Sequence, residues 1–460
     1  MKIPGDLDWI DDFWARAGGR IFARDEDGVL ILPPNRVYKA NPTAASLVMY
    51  LKRGGRAADL KLPSASAVTE VAAFFGDLAA LYRGDEPANG TVGSVPFGFG
   101  FTSLPVLAEI ALTYRCNNAC RFCYAGCGDH PGSAPAGASG TPAGAPPAGG
   151  AHSSPAGGAS AAVEKRPETG TRDFLRIVDI FADEARVPFF SFTGGEPLLR
   201  EDLELIAKRA RKRGISTNLV TNGTLADRAR ARSLRRAGIG SAQVSVEADE
   251  ATLHDSLTGR RGAFAETLAG IAALRTAGIP VQTNTTLTRD NLAAALRMPA
   301  FLKSLGIERF AMNLFIPTIP GAVQDALFVA YDEIGPVVDA VAREAREQGL
   351  VFYWYSPTPF CSYNPIARGL GNKSCAAADG LLSVAPDGSV LPCSSWDEPI
   401  GNLLRSSFRS VWFSDAAAFY KNKLFAGEEC RSCASFTACQ GACPLYWRFA
   451  GETKDTRRAV

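Results

Sequence analysis

Residues 107–127 read LAEIALTYRCNNACRFCYAGC. The run LAEIAL is a short apolar segment of strand length, and directly after it come Cys116, Cys120 and Cys123, separated by three and two residues. Three thiolates at that spacing can wrap one corner of a 4Fe–4S cube, ligating three irons and leaving the fourth open to another ligand. Zinc is the alternative. It wants a fourth nearby donor, and Cys127 could supply one. A strand that ends in a ligand loop is also where parallel α/β sheets place their chemistry.

Working outward, the same pattern repeats. Strand-like runs occur at 107–112, 188–195, 215–223, 241–247, 281–288 and 309–317, and between them lie helical patterns such as LELIAKRARKRG (203–214) and TLAGIAALRTAG (267–278). Six βα units predict a parallel sheet or an incomplete barrel. The carboxyl ends of these strands carry the first cysteines, Gly194-Gly195-Glu196, Asn222-Gly223, Ser245 and Asn284. The expected fold class is therefore α/β, a partial (β/α)6 barrel.

The chain has 460 residues, 46% hydrophobic and 21% charged, which suits a globular protein of about three domains. Forty-nine Lys and Arg against 47 Asp and Glu give +2, so no overall field favours nucleic acid or an anionic membrane. The start, MKIPGDLDWIDDFW, is unlike a signal peptide, and no uninterrupted apolar run approaches membrane-span length. A cytoplasmic protein without membrane or nucleic-acid partners is expected. Eleven cysteines clustered in such a chain point to metal rather than disulfides. Only three His are present, which favours thiolate ligation.

Residues 131–162 are Gly, Ala, Pro and Ser except for Thr141 and His152, and are expected to form a low-complexity disordered insertion. Before the barrel, Asp27-Gly28 marks a hairpin and Asn41-Pro42 a helix start. Ala44, Leu47, Val48 and Leu51 share one helical stripe, and Val68, Val71, Ala72, Phe75, Leu78 and Tyr82 share another. A small winged-helix-like module is expected. The domain boundaries expected are 1–95, 96–350 and 351–460.

The barrel stretch resembles the radical S-adenosylmethionine (SAM) enzymes, whose signature is three cysteines at this spacing with an aromatic, here Phe122, before the last. The resemblance implies that Cys116, Cys120 and Cys123 hold a SAM-binding 4Fe–4S cluster. Phe192-Thr193-Gly194-Gly195-Glu196-Pro197 resembles the segment whose backbone and carboxylate hold the methionine amino group of SAM. Ser245-Val246-Glu247 lies where the family shows Ser-Leu-Asp, so Ser245 carries over as a SAM contact while Glu247 departs from the pattern. His254-Asp255 with Gly259 resembles the family's next loop, with Thr258 where an Arg is frequent.

The second cysteine group has Cys375, then Gly388 and Cys393, then Cys430, Cys433, Cys439 and Cys443 separated by two, five and three residues. This is similar to the SPASM extension of radical SAM enzymes, which binds auxiliary 4Fe–4S clusters. The resemblance implies a nearer cluster on Cys375, Cys393 and Cys443, with Cys361 as fourth ligand, and an outer cluster on Cys430, Cys433 and Cys439. The family's last cysteine has no counterpart after Cys443.

The N-terminal module resembles the PqqD-like domains that recognise precursor peptides. On that likeness Val29-Leu30-Ile31-Leu32 supplies an edge strand for a leader peptide and the Ala44–Leu51 stripe a groove wall. The implied activity is reductive cleavage of SAM and radical oxidation or crosslinking of a ribosomally synthesised peptide, with flavodoxin or ferredoxin as reductant. Radical modification of a small molecule or tetrapyrrole is the second reading, and a non-catalytic iron–sulfur or zinc module the third.

Overall fold

A computed structural model describes residues 7–32, 36–92, 100–127, 167–319, 321–371 and 374–450. The low-complexity stretch 131–162 lies outside the described residues.

The N-terminal part begins with helix α1 (Asp8–Ala17), then strands β1 (Phe22–Arg24), β2 (Val29–Leu32) and β3 (Arg36–Lys39) in one antiparallel sheet of that order. Helices α2 (Pro42–Lys52) and α3 (Ala65–Arg83) follow, and the Asn41 side chain caps α2 by accepting from the Ala44 amide at 2.8 Å. Strand β2 is the central strand, not an edge, and all four of its residues are buried. Its unbroken apolar run has a physical reason. Leu30 and Leu32 face the helices, while Val29 and Ile31 pack on Phe101 and Val106 at the entrance to the next sheet. The Ala44–Leu51 stripe is likewise spent inside the core, where Ala44, Val48 and Leu51 are buried, so it forms no groove wall. Helix α3 is long and apolar enough to cross a membrane, yet Val71, Phe74, Phe75 and Leu78 bury its apolar face in this core.

Asp27 ties the hairpin to the barrel. Its carboxylate takes the Arg24 guanidinium at 2.7 Å and the Ser103 amide at 3.1 Å, and Arg24, itself buried, also donates to the Pro105 carbonyl at 2.6 Å. A buried guanidinium requires this many acceptors.

The large sheet has ten strands. In chain order these are β4 (Leu107–Ala111), β5 (Phe189–Thr193), β6 (Ser216–Thr221), β7 (Ile239–Ser245), β8 (Val281–Leu287), β9 (Arg309–Leu314) and β10 (Val351–Trp354), each parallel to its predecessor. All six expected strands form, and β10 adds a seventh. Beyond β4 the sheet continues with β11 (Leu381–Val384), parallel to it, then β12 (Ser389–Leu391) and β13 (Gly401–Asn402), both antiparallel. Helices α4 (Thr171–Asp183), α5 (Leu203–Lys212), α6 (Arg228–Ala237), α7 (Ala251–Thr258) and α8 (Ala263–Thr276) cover one face. Alternation along the strands sorts the residues. Ala108, Ile110, Phe190, Phe192, Leu219 and Val244 pack into the main core, leaving Glu109, Asn218, Gln243, Asn284 and Asn313 on the inner face.

Candidate active site and cluster ligands

The loop after β4 is clamped from two sides. On one side the Gly195 amide donates to the Thr113 carbonyl at 2.8 Å, and the Glu196 amide donates to the Arg115 carbonyl at 2.9 Å. On the other the Ala119 amide donates to Thr258 O at 3.0 Å and the Arg121 amide to Leu257 O at 2.9 Å, at the end of α7. Both clamps need glycine. A Cβ on Gly194 (φ 139°) would sit 2.2 Å from Thr113 O, and one on Gly259 (φ 65°) 2.2 Å from Ala119 O. The glycines thus fix the cysteine loop against its neighbours.

Held this way, Cys116, Cys120 and Cys123 line one end of a cavity of about 430 Å³. Backbone amides point at the sulfurs: Asn118 N–H to Cys116 Sγ at 3.4 Å, and Cys127 N–H to Cys123 Sγ at 3.3 Å. Burial pushes Cys116 up to about 11 and Cys120 well above the ordinary thiol value, as expected for thiols in an apolar rim. Cys123 is lowered to about 7, first because the Cys127 thiol donates to it, and Cys127 is raised in turn. Phe122 lines the cavity and packs beside Leu257 and Phe315.

Gly194, Gly195 and Ser245 line the same cavity. Glu196 does not. Its carboxylate turns into the protein, accepting from Leu198 N at 3.0 Å, Thr221 Oγ1 at 2.7 Å and Asn222 N at 2.8 Å. These three bonds brace the β5 and β6 loops. Burial pushes the carboxyl up to about 7. Glu247, the departure from the family pattern, does line the cavity, accepts from Thr286 N at 2.8 Å, and is pushed up to about 8 by burial. His254 is held neutral, lowered to about 4 by burial, with Nδ1 accepting from the Glu247 amide at 3.2 Å.

Residues to which the sequence reading assigned no role complete the wall. Asn118 Oδ1, Thr193 Oγ1 and Asn284 Oδ1 are buried, without a hydrogen-bond partner, and belong to cavity-lining residues. Buried polar atoms are normally satisfied, so three at one cavity mark a place for a polar ligand. Glu109 lines it as well, with Oε1 accepting from Ser383 Oγ at 2.7 Å and Ser394 N at 3.1 Å. The signal that could have found them is strand alternation, since they stand on inward positions of β4, β5 and β8 or on the cysteine loop.

Cys393 and Cys443 line the same cavity. Cys393 packs with Cys375, and the charges of both Cys375 and Cys443 raise its thiol further after burial. Lys423, fully buried, anchors this corner by donating to Cys375 O at 2.7 Å and to Asp379 at 2.9 Å. Cys361 is elsewhere. The Phe360 amide donates to Cys439 Sγ at 3.4 Å, and after burial it is Cys439 and Cys433 that raise the Cys361 thiol. The grouping of Cys361 with Cys375 is corrected. The turn at 359–363 returns the chain from β10 to the far side of the cysteine region, where Tyr363 is fixed by Asp339 at 2.9 Å.

A large parallel sheet whose first loop presents three thiols to a cavity that two further thiols also line has the features of an iron–sulfur enzyme. Comparison with known proteins carries this further. The radical SAM superfamily model matches residues 110–298, and an iron–sulfur cluster-binding (SPASM) model matches 375–434. An AdoMet-dependent heme synthase of Methanosarcina barkeri is 30% identical over 278 residues, covering 57% of this chain and 78% of the relative. A PqqA peptide cyclase of Ruegeria pomeroyi is 30% identical over 291 residues, covering 61% and 75%. Streptococcus suis SuiB bound to S-adenosylmethionine aligns with a TM-score of 0.63 at 17% identity, over 93% of this chain and 97% of SuiB. The chain belongs to the radical SAM superfamily and carries a SPASM domain. Its cofactors are accordingly 4Fe–4S clusters and S-adenosylmethionine. The donor chemistry fits them: a thiol triad for the cluster, and the unsatisfied polar atoms for a polar cofactor.

Proposed function

We propose that this radical SAM enzyme oxidises or crosslinks a ribosomally synthesised peptide. The observation that carries this reading is the charge of the cavity wall: among its described residues there are two carboxylic acids, Glu109 and Glu247, and no Lys or Arg. A tetrapyrrole bearing several carboxylates would enter such a wall without a cation to meet it, at a high desolvation cost. A peptide segment, rich in amide and side-chain donors, suits the carboxyl groups and the inward Asn and Gln side chains. The peptide cyclase relatives, and SuiB, whose structure has also been solved with its precursor peptide SuiA, support the same reading.

In this reading Cys116, Cys120 and Cys123 hold the SAM-binding cluster, and Gly194, Gly195 and Ser245 form part of the SAM cradle. SAM held there would supply, after one-electron reduction of the cluster by flavodoxin or ferredoxin, a radical that takes one substrate hydrogen as 5′-deoxyadenosine, the second electron passing to an auxiliary cluster and the second proton to solvent. The chain's own part is position and protection. Asn118, Thr193 and Asn284 offer the polar contacts, and neutral His254 keeps a cation from the site. Phe122 and Phe315 shield the rim from water, so that a reactive species meets only the substrate.

The proposed division is a recognition domain at 1–95, the barrel at 96–350 and the auxiliary-cluster domain at 351–460. All eleven cysteines are free, in keeping with a reducing cytoplasm. The leader peptide is proposed to add beside β3, since no described strand pairs with its outer edge. Residues Arg36–Lys39 there are only partly buried. The test is incubation of the reduced, reconstituted enzyme with SAM and a short peptide encoded beside its gene, followed by mass spectrometry. A loss of two hydrogens in the peptide core, dependent on the leader, is expected. Turnover of a tetrapyrrole with no change in any such peptide would decide for the second reading.

A further inference from the structure

The seven cysteines of the C-terminal region divide into a set of four and a set of three, and the division differs from the one their order in the chain suggests. Cys430, Cys433 and Cys439 sit on consecutive short turns, the Cys433 amide donating to Cys430 O at 3.1 Å. Against them lies the 359–363 turn, with the Phe360 amide bonded to Cys439 Sγ at 3.4 Å. Cys375, Cys393 and Cys443 form the other group, of which Cys393 and Cys443 face the barrel cavity and none of the first four does.

We infer that Cys361, Cys430, Cys433 and Cys439 form a closed four-thiol site for the outer cluster. Cys375, Cys393 and Cys443 then form a three-thiol site whose fourth coordination position opens into the substrate cavity. The inference rests on the auxiliary-cluster reading of this domain and not on the nature of the substrate. Cys361, arriving from the other direction along the chain, completes the outer set. The division gives the two sites different tasks. The closed site, near the surface, has the ligand completeness of a structural or electron-relay cluster. The open one has a vacant iron valence beside Glu109, and the ligand it would take is a lone-pair donor presented from the cavity, such as a thiolate, amine or amide nitrogen of the bound substrate. Glu109 Oε1 is already engaged by Ser383 and Ser394.

The test uses the full chain with Cys116, Cys120 and Cys123 all replaced by Ala, so that only the auxiliary sites load iron. Anaerobic reconstitution should give about 8 iron per chain. Adding Cys361→Ala should leave the outer cluster on three thiols and shift the same electron paramagnetic resonance signal that Cys430→Ala shifts, sparing the signal that Cys393→Ala alters. Should Cys361→Ala fail to fold, Cys361→Ser keeps an oxygen donor and should shift the outer signal alone. ¹³C-cyanide added to the triple variant should show hyperfine coupling to the Cys393-dependent cluster and none to the other. Loss of the Cys393-dependent signal on changing Cys361, or no cyanide coupling at that cluster, overturns the assignment. Absence of iron from the triple variant instead overturns the auxiliary-cluster reading, and the assignment with it.

Discussion

The two ends of this enzyme hold their cysteines by different physics. The triad on the first loop spans eight residues and is gripped by backbone hydrogen bonds from two other loops, each made possible by a glycine whose Cβ would collide with a carbonyl. The outer set draws Cys361 from one turn and its partners from short helical turns some seventy residues later, with Cys361 and Cys433 exposed. One ligand set is local and rigidly seated, the other is assembled from distant segments. A local set can be read from spacing alone, whereas a dispersed one is decided by where the fold returns the chain.

The largest expected effect separates the two directly. Replacing Cys116, Cys120 or Cys123 by Ala should abolish 5′-deoxyadenosine formation under reducing, anaerobic conditions, because each thiol holds an iron of the cluster that meets SAM. Cys361→Ala or Cys430→Ala should leave uncoupled SAM cleavage while stopping full substrate turnover. Chromatographic quantification of 5′-deoxyadenosine checks both. If the outer variants lose SAM cleavage as completely as the triad variants, the sites are not separable and the contrast fails.

A second, smaller effect probes the seating. Gly194→Ala and Gly259→Ala force a Cβ to 2.2 Å from a carbonyl oxygen at positive φ, so about 2–4 kcal/mol of stability should be lost, together with retention of the first cluster. Gly427→Ala, beside the outer set with φ −60° and nothing within 4 Å of its Cβ, should change the melting temperature little. Thermal melts with iron assays on the three variants give the comparison. Equal behaviour of all three would mean that the cysteine loop tolerates displacement.

What the sequence disclosed follows the same line. The six strand runs, the triad and the Gly-Gly pair were legible because hydrophobic alternation and short-range spacing are local properties. The short β10, Val351–Trp354, was not, since four residues carry too little pattern. The run Val29–Leu32 reads as an edge strand only if one ignores that an unbroken apolar strand is buried on both faces, as β2 is. Glu196 carries a second lesson. Its place beside two cavity glycines suggests a ligand, and nothing in the sequence shows that three donors of its own loops also reach its carboxylate. Cys361 was invisible for a different reason: nothing local says that the chain after β10 turns toward Cys439 rather than Cys375.

The smallest expected effect lies within the well-seated end itself and concerns Cys127, which is buried and whose thiol donates to Cys123. Cluster assembly requires thiolates, and Cys123, the most readily ionised thiol of the triad, is the one the first iron meets. The hydrogen bond holds Cys123 near 7, below an ordinary thiol, and burial opposes it. Cys127→Ala removes the donor, so Cys123 should rise, and at a given pH below that value less of it is ionised. Iron loading at pH 7 should therefore slow by about tenfold or more, and the deficit should shrink as pH rises toward about 9, where an ordinary thiol is ionised. Cys127→Ser keeps a hydroxyl donor and should restore most of the low-pH rate. SAM cleavage by either variant, once loaded, should stay within a few-fold of the parent, because Cys127 is assigned no iron. A reconstitution series from pH 6.5 to 9, followed by iron–sulfur absorbance, reads the shift. A uniform loss at every pH would instead assign Cys127 a structural or ligating role, and the first loop would then be a four-thiol site like the outer one.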